Sequence, residues 1–293
     1  MTYRPDLALL ARLLDALAEQ VGAVVVVDNA SPGAGVRETC AVRAQVELLA
    51  LPGNRGLAVG LNAGIARARL RARVTHVLLM DQDSVPEPGM VPTLLAAFAD
   101  LSRSGRVGAV GPNFHDPREG SAAPFVRFGF PFNHKLDCNG GSGVIACDFL
   151  ITSGCLIPLD VLDTVGDMDG DLFIDNVDLE WCFRAHAAGL GLYGVCGAHM
   201  RHRLGDQRAR VPGVPRGIIV HGPLRLYYMM RNRVLLYHRS YTPRRWIAQD
   251  VPRALVKLLV FALLPPRRKN LRCMLAGLAA GAAGRADPPP DGV

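Results

Sequence analysis

Leucine returns at helical spacing through DLALLARLLDALAEQ (6–20), which predicts an amphipathic helix with one apolar face. The period then changes. AVVVVDNASPGAG (23–35) is a continuous β-branched run closed by Asn, Ser, Pro and Gly, the pattern of a buried strand and a turn. VELLAL (46–51) predicts a second short strand, HVLLMDQDS (76–84) a third and VGAVGPNF (107–114) a fourth. Between them, PGNRGLAVGLNAGIARARLRA (52–72) opens on glycines and becomes a basic helix, and MVPTLLAAFADLSRSG (90–105) predicts another helix. Strands alternating with helices predict parallel βαβ units. Ligands of such sheets bind beyond the carboxyl ends of the strands.

Further along, 115–145 is irregular and rich in Gly, Phe and Asn. CDFLITSGCLIPLDVL (147–162) is strand-like, interrupted by Thr152, Ser153 and Gly154. LFIDNVDLEWCFRAHAAG (172–189) places acids before a helix that Gly189 closes, and LGLYGVCGAHMRHRLGD (190–206) predicts a strand and a turn. PLRLYYMMRNRVLLYHRS (223–240) is a basic, aromatic helix. ALVKLLVFALLPPRRKN (254–270) is apolar and then basic; its apolar run is shorter than the roughly 20 residues a bilayer requires, and Lys257 interrupts it. These segments predict an α/β domain over 1–215, a basic amphipathic helical region over 216–285 and a disordered tail over 286–293.

Composition sharpens this in two places. Residues 1–200 carry a net charge of −7 and residues 201–293 a net of +14, so the basic end of the chain suits an anionic surface. The seven cysteines include no C-x-x-C pair, and their odd number argues against a zinc knuckle and a complete disulfide framework; it fits a reducing cytoplasm. The N-terminus shows no basic region followed by an apolar core, the pattern of a secretory signal.

Candidate chemistry lies at the predicted strand ends. Asp81 and Asp83 project to one face of an extended strand, where like charges repel unless a cation sits beside them. Oxygen ligands of this kind suit Mg2+ or Mn2+, which in turn can hold a diphosphate. Asp28 and Asn29 end a neighbouring strand, with short acceptors suited to a nucleobase N–H or ribose hydroxyls. Asn54, Gly56 and Asn62 surround a helix start, which offers free N–H groups to an anion. Neither G-x-G-x-x-G nor G-x-x-x-x-G-K-S/T occurs there, so a dinucleotide fold and a P-loop are not supported. Asp175 and Asp178, three apart, would share a helix face and are candidate general bases; Glu180 falls on another side.

In order along residues 2–232 stand TYRP (2–5), VVVDNAS (25–31), GNRGLAVGLNAGI (53–65), DQDS (81–84), TSGCLIP (152–158), FIDNVDLEWCFRA (173–185), HRLGD (202–206) and YYMMRN (227–232). This ordered set resembles the inverting nucleotide-sugar glycosyltransferases of the GT-A fold (family 2), and within them the bacterial rhamnosyltransferase branch of surface-polysaccharide synthesis, O-antigen included. The resemblance implies an α/β, Rossmann-like GT-A architecture with a mainly parallel sheet flanked by helices and a basic helical C-terminal extension. It implies donor contacts from Tyr3, Asp28, Asn29, Asn54, Gly56, Asn62, Asp81 and Ser153. It also implies a Mg2+ or Mn2+ held by Asp83, Asp81 and His202. Relatives outside this branch usually carry Glu-Asp where this chain has Asp175-Asn176, so the base goes to Asp178 or Asp175, with Asp178 favoured. The implied reaction moves a deoxysugar, rhamnose from dTDP-rhamnose, onto a saccharide or lipid-linked saccharide. The expected setting is the cytoplasmic face of the plasma membrane, peripheral on its anionic surface, without a nucleic-acid partner. The family begins with a full apolar strand before its TYNP motif, whereas this sequence starts inside the matching motif: either the start codon is misplaced or one sheet strand is missing, and a missing strand would expose a sheet edge. The alternative is a membrane- or nucleic-acid-binding protein on a degenerate core, with Phe125, Phe128, Phe130 and Phe132 near Arg127 and Lys135 as a stacking surface.

Overall fold

The computed structural model describes residues 1–116, 122–202, 207–211 and 214–288, with backbone alone over 207–211 and 214–219. The chain forms two compact units: Met1–Gly129, Asn133–Phe173 and Val177–Arg203 make the first, and Phe130–Phe132, Ile174–Asn176 and Leu204–Val293 the second. The boundary expected at 215/216 therefore falls inside the second unit, which also claims two short segments from the middle of the chain.

In the first unit, helix α1 (Leu7–Ala18) starts where the Asp6 carboxylate accepts the N–H groups of Ala8 and Leu9. Its 3.6-residue period buries Leu10, Leu13, Leu14 and Leu17. Strand β1 (Val24–Asp28), helix α2 (Gly35–Ala41) and strand β2 (Val46–Ala50) follow, and β1 pairs with β2 in parallel as a two-stranded sheet. Thr2 adds one parallel bridge, to Asp28. Next come helix α3 (Gly56–Arg69), strands β3 (His76–Leu79) and β4 (Ser84–Pro86), helix α4 (Met90–Ser102) and strand β5 (Val107–His115). The segment expected to be irregular contains short strands β6 (Phe125–Arg127), β7 (His134–Leu136) and β8 (Val144–Cys147). Strand β9 (Cys155–Pro158), helix α5 (Leu159–Val165), a 3-10 turn over Gly170–Leu172, helix α6 (Val177–Ala187) and strand β10 (Gly191–His202) complete the unit.

Five strands run in the order β3-β9-β5-β10-β4, and β8 pairs with β10 as the sixth. The one parallel neighbouring pair described in this sheet is β5–β10; β3–β9, β5–β9, β10–β4 and β10–β8 are antiparallel. The mainly parallel sheet expected from the alternating pattern is therefore corrected to a mixed one. The reason lies in the TSG turn: β9 begins at the carboxyl end of β3 and runs back along it, Cys155 opposite Leu79. Gly154 makes that turn possible at φ +80°, where an added Cβ would overlap the Pro112 ring. One apolar core joins α1, β1, α4 and the six-stranded sheet through Leu14, Val26, Leu94, Val110, Leu156 and Val195.

Cys138 and Cys196 close a disulfide with Cα atoms 5.5 Å apart across 58 residues of sequence. Counting cysteines could not show this pair, because proximity in the fold decides which thiols meet. Cys40, Cys147, Cys155, Cys182 and Cys273 are buried free thiols.

The second unit holds the hairpin β11 (Gln207–Val211) and β12 (Val214–Val220), then helices α7 (Pro223–Tyr237), α8 (Arg244–Leu263) and α9 (Arg267–Ala282). Leu226, Met230, Phe261 and Met274 form its core. Helices α7 and α9 approach closely because Gly277 and Gly281 present no side chain to the α7 backbone at Tyr227 and Arg231. Among the described residues no helix is long and apolar enough to cross a membrane. Of the expected disordered tail, 289–293 lies outside the described residues.

Candidate active site

Strand β3 buries Val77 and Leu79 and releases the chain at the buried Met80 into Asp81-Gln82-Asp83. Gln82, between the two acids, points its amide the other way: it accepts the Tyr3 N–H at 2.7 Å and donates to the Tyr3 carbonyl at 3.2 Å. That staple fixes the loop against TYRP. In the structure Tyr3 thus acts through its backbone, holding the loop that carries Asp81 and Asp83.

Strand β10 then brings His202 opposite Ser84 on β4. One ligand atom from each of Asp81, Asp83 and His202 lies within 4.8 Å of the others. The His202 Nδ1 is 3.6 Å from an Asp83 oxygen and 2.7 Å from the Ser84 hydroxyl. Ser84 lies 2.6 Å from the Ser153 hydroxyl, which in turn accepts the Asp81 N–H at 3.2 Å. The ligand set, two carboxylates and an imidazole clustered at a strand end, fits Mg2+ or Mn2+. Ser84 escaped the sequence reading, which weighed the two acids beside it. The rest of the HRLGD motif, 203–206, lies outside the described residues.

Asp28 is buried at the end of β1, where its carboxylate accepts Thr2 Oγ at 3.0 Å and both Oγ and N–H of Ser31, at 2.6 and 3.1 Å. Asn29 donates to Asn54 Oδ1 and to the Gly56 carbonyl, each at 3.0 Å, and accepts the Arg55 N–H at 2.8 Å. Asn54 accepts the Gly56 N–H. Gly56 sits at φ +85°, with Phe173 packed where a side chain would be. Asn62 spends both ends of its amide on the Met168 backbone, at 2.8 and 2.9 Å. The amides of Asn29, Asn54 and Asn62 hold the loops and the start of α3 in shape.

The candidate bases part company. Asp175 belongs to the second unit, at φ +63°, and Arg225 grips it with Nε at 2.9 Å and Nη2 at 2.8 Å. Asn232 donates to the carbonyls of Ile174 and Asp175, which gives the YYMMRN motif a role in holding this segment. Asp178 lies in the first turn of α6 and accepts the Leu179 N–H. Burial pushes the Cys155 thiol far up, and the Asp178 carboxylate raises it further. Asp178 therefore lies within electrostatic reach of Cys155, the residue paired with the last residue of β3. Glu180 is buried and chelated by Arg184 at 2.7 and 2.8 Å, a structural pair. Burial likewise drives the Cys147 thiol up to about 12 and Cys182 upward, so these thiols are poor nucleophiles.

The glycosyl transferase family 2 profile matches residues 2–152. The dTDP-rhamnosyl transferase RfbF of Shigella flexneri is 31% identical over 244 residues, covering 83% of this chain and 80% of that protein. The chain is a family 2 glycosyltransferase. Among solved structures, GalNAc-T7 with UDP, GalNAc and Mn2+ matches 78% of this transferase and 45% of its own chain, at TM-score 0.54 and 12% identity. S. aureus TarS matches 90% of this transferase and 43% of its own chain, at TM-score 0.53 and 14% identity. This transferase thus spans less than half of those two proteins, and it shares their GT-A fold. The aromatic residues of the alternative reading have structural partners in part: Phe125 fills the space over Gly194 and Phe128 packs edge-on to Phe183, while Phe130 and Phe132 are exposed.

Proposed function

We propose that this glycosyltransferase moves rhamnose from dTDP-rhamnose to a lipid-linked saccharide in surface-polysaccharide synthesis, with inversion at the anomeric carbon. The observation that carries the donor assignment is the 31% identity to a dTDP-rhamnosyl transferase over 83% of the chain. In this reading Asp83, Asp81 and His202 hold Mg2+ or Mn2+, a cation that would neutralise the charge growing on the leaving diphosphate. Asp28 meets the ribose or base at the end of β1. Asp178 takes the proton of the acceptor hydroxyl as its oxygen attacks the anomeric carbon. The bond to the diphosphate breaks and its electron pair leaves with the dTDP.

Released nucleoside diphosphate, followed for dTDP-rhamnose against UDP-linked sugars with Mg2+ or Mn2+, tests the donor. Turnover with dTDP-rhamnose above the others is expected; turnover with a UDP-sugar and none with dTDP-rhamnose would overturn the assignment. Asp83→Asn keeps the side-chain shape and removes the negative ligand, so it should abolish turnover while leaving the circular dichroism spectrum unchanged. Wild-type transfer by that variant would remove Asp83 from the metal site.

The location belongs to the same proposal. Helix α8 exposes Val251, Leu255, Leu259 and Leu263 at four-residue spacing, the last at 70% of its surface. Arg267, Arg268 and Lys269 follow, exposed at the start of α9. An apolar stripe beside a basic cluster suits the headgroup region of an anionic bilayer, where a lipid-linked acceptor resides. The resulting reading is a peripheral enzyme on the cytoplasmic face.

A further inference from the structure

The chain of contacts around His202 has a direction, and that direction decides what the imidazole can do. Four side chains meet in sequence: His202 Nδ1 at 2.7 Å from Ser84 Oγ, Ser84 Oγ at 2.6 Å from Ser153 Oγ, and Ser153 Oγ at 3.8 Å from Met200 Sδ. Ser84, Ser153 and Met200 are fully buried, and His202 is 8% exposed. Each hydroxyl has a single proton to give, so the two links nearest the ring must point the same way along the chain. In the outward sense the ring donates from Nδ1 to Ser84, Ser84 donates to Ser153, and Ser153 donates to the Met200 sulfur. In the inward sense Ser153 donates to Ser84 and Ser84 to Nδ1, which puts the ring proton on Nε2.

Only the outward sense gives the whole row an acceptor for every proton while leaving a ring nitrogen with an uncommitted lone pair. The Asp83 oxygen 3.6 Å from Nδ1 favours it as well, because a carboxylate attracts the N–H end of the ring dipole. The inward sense consumes the Nδ1 lone pair and caps Nε2 with hydrogen, so the neutral ring could ligate nothing. A ligating imidazole commonly has its other nitrogen fixed by a hydrogen bond of this kind.

We propose that Ser84 and Ser153 are positioning residues that hold neutral His202 as its Nδ1–H tautomer, leaving Nε2 as the nitrogen able to bind a divalent cation. The proposal deepens the metal site assigned above and rests on it only for the cation. The serines tie together strands β4 and β10 and the turn before β9, so the tautomer is set by the meeting of three elements. Ser153 also receives the Asp81 N–H, so one hydroxyl serves both the histidine and the backbone of an acidic partner.

Nitrogen-15 NMR of the metal-free full-length protein, at a pH where the ring is neutral, reads the tautomer directly. His202→Gln identifies the resonance. The expected wild-type signal is an Nδ1–H ring. Ser84→Ala should release it to a mixture of tautomers and weaken Mn2+ binding, titrated with Mn2+ alone, by about 10- to 100-fold. Ser153→Ala should move the tautomer ratio in the same direction, and Ser84→Thr, which keeps the hydroxyl, should restore the Nδ1–H signal. A wild-type Nε2–H ring, or a tautomer ratio untouched by Ser84→Ala in a folded protein, would overturn the proposal. An Nδ1–H ring that depends on Ser84 in a protein that binds no Mn2+ would sustain the positioning role and remove the metal reading alone.

Discussion

Asp175 and Asp178 are chemically identical and three residues apart, yet the fold gives them different partners. Two guanidinium N–H groups of Arg225 occupy the Asp175 carboxylate, and its backbone is held by Asn232. A carboxylate engaged in this way serves to shape the chain. Asp178 lies in the first turn of α6, within electrostatic reach of Cys155, and is the base in the function proposed above. Asp178→Asn should therefore lower the transfer rate by about 10²- to 10⁴-fold while donor affinity, measured by calorimetric titration with dTDP, stays close to wild type. Asp175→Asn should instead lower the melting temperature and retain most of the rate. An inactive Asp175→Asn beside an active Asp178→Asn would exchange the two roles.

Helix α8 carries a lysine the fold holds at some cost. Burial lowers Lys257 from 10.5 to about 8; Arg233 and Arg225 add to the shift, and Asp175 and Asp250 oppose it. Between those values the unfolded chain binds more protons than the folded one, so this group makes stability rise with pH from about 8 to 10.5. Below pH 8 the full destabilisation is present. Lys257→Met should thus raise the melting temperature at pH 7, and its advantage over wild type should shrink as pH climbs through that window. An advantage that stays constant with pH would show that the lysine charge is not responsible. The packing of α7 on α9 has its own sensitive point at Gly277, where a side chain would run into the Tyr227 carbonyl. Gly277→Val should cost on the order of 1–3 kcal/mol, read as an earlier urea midpoint.

For the whole molecule the informative quantity is the distribution of charge. A net of +14 over 201–293 against −7 over 1–200 is the charge pattern on which the proposed docking to anionic lipid rests, with the exposed leucines of α8 as its apolar part. The protein should co-sediment with anionic liposomes at low salt and dissociate as salt rises. Replacing Leu259 and Leu263 with Glu should weaken that binding without altering turnover on a water-soluble acceptor. Equal recovery with neutral and anionic vesicles would reject electrostatic docking, and loss of a dimer on the same substitutions would assign the stripe to a second copy of the chain.

Local signals made much of this protein legible from its residues alone. The leucine period of α1, the β-branched run of β1 and the abrupt change from Met80 to Asp81 are properties of neighbours in sequence, and the corresponding elements form as expected. The ordered motifs carried the family for the same reason, since each is a short stretch of residues adjacent in sequence. Pairing across the chain was beyond such signals. Ser84 meets His202 from 118 residues away, Asn62 reaches Met168 from 106, and Arg225 finds Asp175 from 50. The strand directions that made the sheet mixed depended on where the TSG turn sends β9. Hydrophobic periodicity specifies which face of an element is buried, whereas the partner of a buried polar group is chosen by whichever donor or acceptor the packed elements bring within hydrogen-bond reach.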